Sequence, residues 1–280
     1  MLKKTSHNIR LIATDLDGTL LRDDKSVSET DMHTLEILGK MNIIRVAATG
    51  RSMYSVRKVI PENFPFDYIV FSTGAGLYDW KKQELLASAC LEPQQVKIAA
   101  KVFFDNNLDF TIHKPVPDNH YFVYNRSGVP NSDFEHYCDY YRGFCEKWDG
   151  NIETLQHATQ LLSVMPVCPT RYETLRKKLE GFKVIRTTSP VNEGFMWVEV
   201  FHPEVSKGHT LEKLCRKLGI DPEHTISVGN DFNDLDMLHF TGHSFVVDNA
   251  HNDLKMKFRN STSHLQNGFT RAVEKVFDLH

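Results

Sequence analysis

The sequence predicts an α/β protein with a doubly wound parallel-sheet core and an inserted α+β domain, and three observations lead there. First, short apolar runs end in polar clusters. Ile9–Ala13 runs into Asp15-Leu16-Asp17-Gly18-Thr19, Ile43–Ala48 into Thr49-Gly50-Arg51, and Thr225–Val228 into Gly229-Asn230-Asp231-Phe232-Asn233-Asp234. Buried parallel strands read as continuous apolar runs, and such sheets gather their chemistry beyond the carboxyl ends of the strands. Second, helical patterns alternate with these runs at both ends of the chain, while past about Lys82 the texture changes. Third, 280 residues with 41% hydrophobic content can fill two modest cores. The expected division is 1–82 plus 204–280 for the parallel-sheet core and 83–203 for the insert.

The elements follow in order. After the first strand, Ser28 with Asp31 resembles a capping box, with Val27 and Met32 at the staple positions. Met32, Leu35, Leu38 and Met41 then recur at helical spacing, a face for the sheet. Asp67–Phe71 is a third strand ending in Ser72-Thr73-Gly74-Ala75. Within the insert, Pro93 suits the first turn of a helix running to about Asn106, and Leu108–His113 alternates like a strand. Phe134, Tyr137, Cys138, Tyr141, Phe144, Cys145 and Trp148 fit one helical stripe, read as core. Strands at Gln160–Met165, Lys183–Thr187 and Met196–His202 and a helix at Arg171–Leu179 complete the insert. The core resumes with a helix at Lys207–Leu218, stopped by Gly219, then buried strands Thr225–Val228 and Ser244–Val247 around a Leu235–Phe240 helix. No internal repeat or low-complexity linker interrupts the chain.

Composition excludes several classes. The net charge is −3, and no Lys/Arg run is dense enough to track a nucleic-acid backbone. The five cysteines form no Cys-x-x-Cys pair, which fits reduced thiols in a cytoplasmic protein. Lys3-Lys4 precedes an apolar stretch too short for a signal sequence, and no segment reaches the ~18 apolar residues of a membrane span. The fourteen histidines form no His-Glu-x-x-His pattern. The expected partner is a small molecule, with neither nucleic acid nor membrane; oligomeric state leaves no mark in the sequence.

Asp15 and Asp17 stand two apart, so an extended backbone turns both carboxylates the same way, and Gly18 lets the chain turn sharply after them. With Thr49-Gly50-Arg51, Ser206-Lys207-Gly208 and the Gly229–Asp234 loop, four polar constellations can meet at one sheet edge. In order and spacing this set resembles the haloacid dehalogenase superfamily phosphatases, most closely the Cof-type sugar-phosphatase branch with its type IIB cap, over nearly the whole length.

The resemblance implies a Rossmann-like core, with the insert as a cap that closes over it. It implies that Asp15 attacks phosphorus to give an aspartyl-phosphate. Asp17 would protonate the leaving oxygen and then activate water. Thr49 and the Gly50 amide would hold phosphoryl oxygens, and Lys207 would neutralise charge. The implied cofactor is Mg²⁺, held by Asp15, the Asp17 main-chain carbonyl and one group of the Gly229–Asp234 loop. Charge arithmetic supports Lys207 separately. Asp15, Asp17 and Asp234 with a phosphate dianion carry about five negative charges, more than one divalent ion offsets. A lysine that begins a helix is otherwise disfavoured by the helix dipole. Arg51 could fork onto the phosphate or pair with a carboxylate.

The chain departs from the family at two places. Asn230 stands where the family has a metal-binding Asp, so either Asn230 is the ligand with lower affinity, compensated by Asp231 from behind, or Asp231 takes over. Asp234 keeps its register and should orient a metal-bound water or Lys207. Thr73 stands where Cof-type chains commonly have Asn. Candidate substrate contacts are Thr73, Asn233, His113 and Glu199, with Asn125 and Arg126 also possible in the insert. The expected activity is a Mg²⁺-dependent phosphatase acting on a small phosphorylated metabolite, a sugar phosphate by resemblance. The alternatives are a phosphomutase-type phosphotransferase and a non-catalytic phosphometabolite-binding protein.

Overall fold

The computed structural model describes residues 8–189 and 192–277, which leaves the Lys3-Lys4 pair outside. The chain forms two compact units. Of the described residues, one takes 8–51, Ser55–Ala87 and 206–277; the other takes Ser52–Tyr54, 88–189 and 192–205.

The first unit opens with β1 (Leu11–Thr14), α1 (Glu29–Lys40), β2 (Ile44–Ala48), β3 (Tyr68–Phe71), β4 (Gly76–Asp79) and β5 (Glu84–Ser88). Ser28 caps α1, its hydroxyl accepting from the Asp31 amide at 3.0 Å. The Asp31 carboxylate does not return to the Ser28 amide as a capping-box acid would. It takes the Ser28 hydroxyl at 2.9 Å and the Thr270 amide and hydroxyl at 3.0 and 2.7 Å, tying the helix start to the C-terminal region. The buried face of α1 is accordingly Asp31, Thr34, Leu35 and Leu38, with Met32 and Met41 only half-buried at its margins.

The second unit carries α2 (Pro93–Asp105), β6 (Phe110–His113), β7 (Phe122–Asn125), α3 (Ser132–Tyr140), β8 (Cys145–Lys147), β9 (Gln160–Pro166), α4 (Pro169–Lys178), β10 (Lys183–Thr188) and β11 (Phe195–Phe201). Its six strands lie in the order β10-β11-β9-β6-β7-β8, antiparallel except for the parallel pair β7/β8. Val96, Ala99, Ala100 and Phe103 of α2 and Leu175 of α4 pack against Phe110, Leu161, Met165, Val198 and Val200 of the strands. The long aromatic helix expected to reach Trp148 is a correction. α3 stops at Tyr140, Gly143 turns the chain at φ +93°, and Cys145 returns in a strand paired with Phe122. Tyr137, Cys138, Tyr141 and Cys145 still share one cluster with Phe122, so a helix and a strand together reproduce a helical spacing. Gly143 was the stop signal.

The first unit resumes with α5 (Lys207–Leu218), β12 (Thr225–Gly229), α6 (Leu235–Phe240), β13 (His243–Val246), β14 (Arg259–Asn260) and α7 (Gly268–Glu274). Gly219 closes α5 in the left-handed region at φ +61°, as its position predicts. The eight-stranded sheet runs β14-β13-β12-β1-β2-β3-β4-β5, parallel from β14 to β3, with β4 antiparallel to β3. This is the doubly wound α/β architecture that the sequence predicts. Leu11, Ala13, Val46, Ala48 and Val70 of the sheet bury against Leu211, Leu214 and Cys215 of α5 and Met237 of α6. No described helix is long and apolar enough to cross a membrane.

Candidate active site

β1 lies between β2 and β12, so the segments leaving these three strands emerge side by side. Asp15 follows β1 directly and is held to it by its amide, which donates to the Val228 carbonyl of β12 at 2.9 Å. Lys207 is the first residue of α5, capped by the Ser206 hydroxyl. Its ammonium donates to Asp15 Oδ1 and Asp234 Oδ1, both at 2.7 Å, and to Asn233 Oδ1 at 3.2 Å. The side chains of Asp15, Lys207 and Asp234 are 7%, 0% and 0% exposed, so water screens them little. Burial pushes the Asp15 carboxyl up, against the pull of Lys207 and reinforced by Asp234. For Lys207 burial works the other way, but Asp15 and Asp234 outweigh it and hold the ammonium well above the usual lysine range.

Asp234 spends its second oxygen on its own loop: Oδ2 accepts the Asn230 and Asp231 amides at 2.9 and 3.1 Å. With Oδ1 on Lys207, both oxygens are engaged, and the carboxylate orients the lysine. Asp231 caps the following turn, accepting the Phe232 amide at 2.6 Å, and its Oδ1 lies 3.4 Å from His251 Nε2. Asn230 instead sets its amide against the turn after Asp17; a Cβ on Gly18 would stand 2.7 Å from its Nδ2. Gly18 holds φ +69°, a conformation that glycine adopts without strain.

Asp17 is gripped from two sides. Arg51 forks onto it, Nε to Oδ2 at 2.5 Å and Nη2 to Oδ1 at 2.7 Å, and Lys25 Nζ reaches Oδ1 at 3.0 Å. Burial alone would raise this carboxyl, but Arg51 and then Lys25 outweigh it and hold it below the ordinary carboxylate value. Of the two roles open to Arg51, the carboxylate pair is the one present. Thr49 is buried, its hydroxyl accepting the Arg51 amide at 3.1 Å, while Gly50 beside it is exposed.

Asp15, Asp17, Thr49, Gly50, Arg51, Thr73, Lys207, Asn230, Asn233 and Asp234 thus belong to one cluster in the first unit. Two further residues join it without having been expected. Lys25 has no sequence signal. Asn249 does have one, a polar residue just past the β13 apolar run, and its amide donates to the Gly18 carbonyl at 2.8 Å while accepting the His264 amide at 3.1 Å.

His113 and Glu199 lie in the second unit. Glu199 is buried on β11 with Gln160 Nε2 and Thr187 Oγ1 at 3.4 and 3.5 Å, and Arg126 pairs with Glu135 at 2.9 Å. His113 is buried with both ring nitrogens engaged, Nδ1 on the Asn119 carbonyl and Nε2 on Thr111 Oγ1, each at 2.8 Å. Burial holds its pKa down at about 4 against 6.5 in an unfolded chain. The unfolded chain therefore takes this proton first on acidification, and the contribution of His113 to stability falls by about 3 kcal/mol as pH drops from 6.5 to about 4 and is flat above that window. Urea unfolding at pH 7 and pH 4.5 should show this slope shrinking in His113→Gln; an unchanged slope would refute the assignment.

The oxygen donors suit a hard divalent ion. Asp15 Oδ1 is taken by Lys207 and Asp234 is committed through both oxygens, whereas Asp231 spends only Oδ1 on its cap, so a cation between β1 and the β12 loop would have Asp15, the Asp17 carbonyl and either Asn230 or Asp231 to hold it.

The family profile of the haloacid dehalogenase-like hydrolases matches residues 12–271. Among curated relatives, the 5-amino-6-(5-phospho-D-ribitylamino)uracil phosphatase YwtE of Bacillus subtilis is 21% identical over 289 residues, covering 96% of this chain and 98% of that one. Among solved structures, a phosphatase of the haloalkanoate enzyme superfamily from Bacteroides thetaiotaomicron superposes with a TM-score of 0.80 at 18% identity, covering 99% and 98% of the two chains. A subclass IIB sugar phosphatase of the same superfamily gives 0.75 at 16% identity, covering 95% and 98%. With the profile spanning nearly the whole chain and the strand-end carboxylates set around a buried lysine, this protein belongs to the haloacid dehalogenase-like hydrolase family.

Proposed function

We propose that this hydrolase is a Mg²⁺-dependent phosphatase that acts on the monoester of a small polyhydroxylated metabolite, such as a sugar phosphate, through an aspartyl-phosphate on Asp15. The observation that carries the reading is the buried Asp15–Lys207–Asp234 triad at the end of β1. A carboxylate held out of water beside a fixed ammonium is desolvated and positioned, as a nucleophile toward phosphorus must be. An Asp15 oxygen forms the new bond to phosphorus as the ester P–O bond breaks. Asp17, which Arg51 and Lys25 hold as a carboxylate in the free site, first takes up a proton from solvent as the phosphoryl group draws those cations off it, gives that proton to the departing oxygen, and then takes one from the water that attacks the acyl phosphate, releasing inorganic phosphate and free Asp15. Arg51 and Lys25 hold Asp17 in place beforehand, and the exposed Gly50 leaves room for the phosphoryl group.

When bound, Mg²⁺ would neutralise part of the charge shared by nucleophile and phosphate. Asp15, the Asp17 carbonyl and Asn230 are the residues that would hold it. The substrate class rests on likeness: YwtE takes a phosphorylated ribityl compound by its name, and the subclass IIB neighbour is a sugar phosphatase. Five free cysteines fit a reducing, cytoplasmic setting.

The test is phosphate release from a panel of sugar phosphates with Mg²⁺ and after chelation. Chelation should abolish release and Mg²⁺ restore it. Asn230→Asp, which adds a charge to the donor set, should lower the half-saturating Mg²⁺ concentration about tenfold, whereas Asp231→Asn should leave it within about twofold. The reverse pattern would make Asp231 the ligand, and metal-independent release would refute the mechanism.

A further inference from the structure

Ser72, Thr73 and Gly74 follow β3 with three successive positive φ values, +48°, +58° and +102°. For a β-branched residue such as Thr73 the left-handed region is strained, and it persists only where the surroundings impose it. Here they do. The Ser72 and Thr73 amides donate to the Arg51 and Thr49 carbonyls at 2.9 and 3.0 Å, and Thr210 Oγ1 donates to the Gly74 carbonyl at 2.7 Å. A Cβ on Gly74 would come within 2.3 Å of the Ser206 carbonyl oxygen, so the turn is clamped between the Thr49–Arg51 loop and the start of α5.

The clamp fixes where the Thr73 side chain goes. Thr73 is completely buried, yet its hydroxyl has no hydrogen-bond partner among the described residues, a costly state for a polar group inside a protein. The Oγ1 stands 3.6 Å from the point that a Cβ on Gly50 would occupy, and so does Asn233 Nδ2. Asn233 turns its other amide atom, Oδ1, to Lys207. A hydroxyl and an amide donor therefore meet over the exposed Gly50, with the Lys207 ammonium behind.

We propose that the Thr73 hydroxyl donates a hydrogen bond to an oxygen of the phosphoryl group bound over Gly50, an added substrate contact that rests on the phosphatase reading. The unpaired hydroxyl gains its partner when the ligand arrives, and no protein group among the described residues competes for it.

Thr73→Val keeps the shape and the branch and removes only the hydroxyl. Titration of inorganic phosphate in the presence of Mg²⁺ should show about 10- to 100-fold weaker binding, with kcat/KM for any accepted ester reduced alike, while Thr73→Ser restores both. The melting temperature of Thr73→Val should equal or exceed that of the wild type. Wild-type phosphate affinity in Thr73→Val overturns the assignment, as does a lowered melting temperature with phosphate binding intact, which would make the hydroxyl purely structural. If the wild type binds phosphate but cleaves no ester, the phosphatase reading falls and the phosphate titration still decides Thr73. A wild type that binds no phosphate overturns both.

Discussion

Asp15→Asn is expected to abolish phosphate release, by about 10³-fold or more, and to leave the unfolding free energy within about 1 kcal/mol of the wild type. The amide oxygen can still accept from Lys207, whose ammonium lies 2.7 Å from Asp15 Oδ1. What disappears is the charge that attacks phosphorus, together with its repulsion of Asp234 in a buried site. Activity and stability should therefore separate. Steady-state release and urea unfolding on the same preparation measure both. Retained turnover would show that Asp15 is not the nucleophile, and a collapse in stability would show that its charge serves the fold.

Lys207→Met should fail in both respects. The methionine matches the length of the lysine stem, but Asp15 and Asp234 then remain buried with no cation between them. Removing one partner of a buried ion pair costs about 3–5 kcal/mol, because the uncompensated charge stays behind. The double variant Asp15→Asn with Lys207→Met should recover part of that loss while remaining inactive, since Asp234 alone keeps the Asn230 and Asp231 amides on its second oxygen. Urea midpoints of the four proteins close this cycle. If Lys207→Met were as stable as the wild type, the triad would have to be wetter than its burial indicates.

The fold class and family were legible because they rest on patterns that physics makes local: apolar runs for buried strands, and Gly219 stopping α5 in a left-handed turn. The insert was less so. A helix followed by a strand placed Tyr137, Cys138, Tyr141 and Cys145 in one cluster, and the spacing alone could not separate that from a longer helix. At the site, the charge argument for Lys207 anticipates its two carboxylates, because a buried ammonium must find anions wherever the chain brings them. The partner of Arg51 could not be chosen, since the distance from a loop guanidinium to Asp17 depends on how two turns pack. Thr73 carries no signal for its left-handed backbone; sequence favours glycine or asparagine there, and only the clamp from Thr49, Arg51 and Ser206 explains it.

The order of the eight-stranded sheet also fixes when the enzyme can exist. β1 emerges from the ribosome well before one of its two neighbours, β12, and Lys207 follows Asp15 by 192 residues. At about 5–20 residues per second that delay is roughly 10–40 s. During it the second unit, whose strands form one uninterrupted stretch from β6 to β11, has its whole sheet available, while β1 presents an open ladder and Asp15 has no counter-ion. The inserted unit can therefore mature before the reactive centre, which comes into being only once α5 and β12 have been made, so a chain that stops short of them is left with the insert and no catalyst.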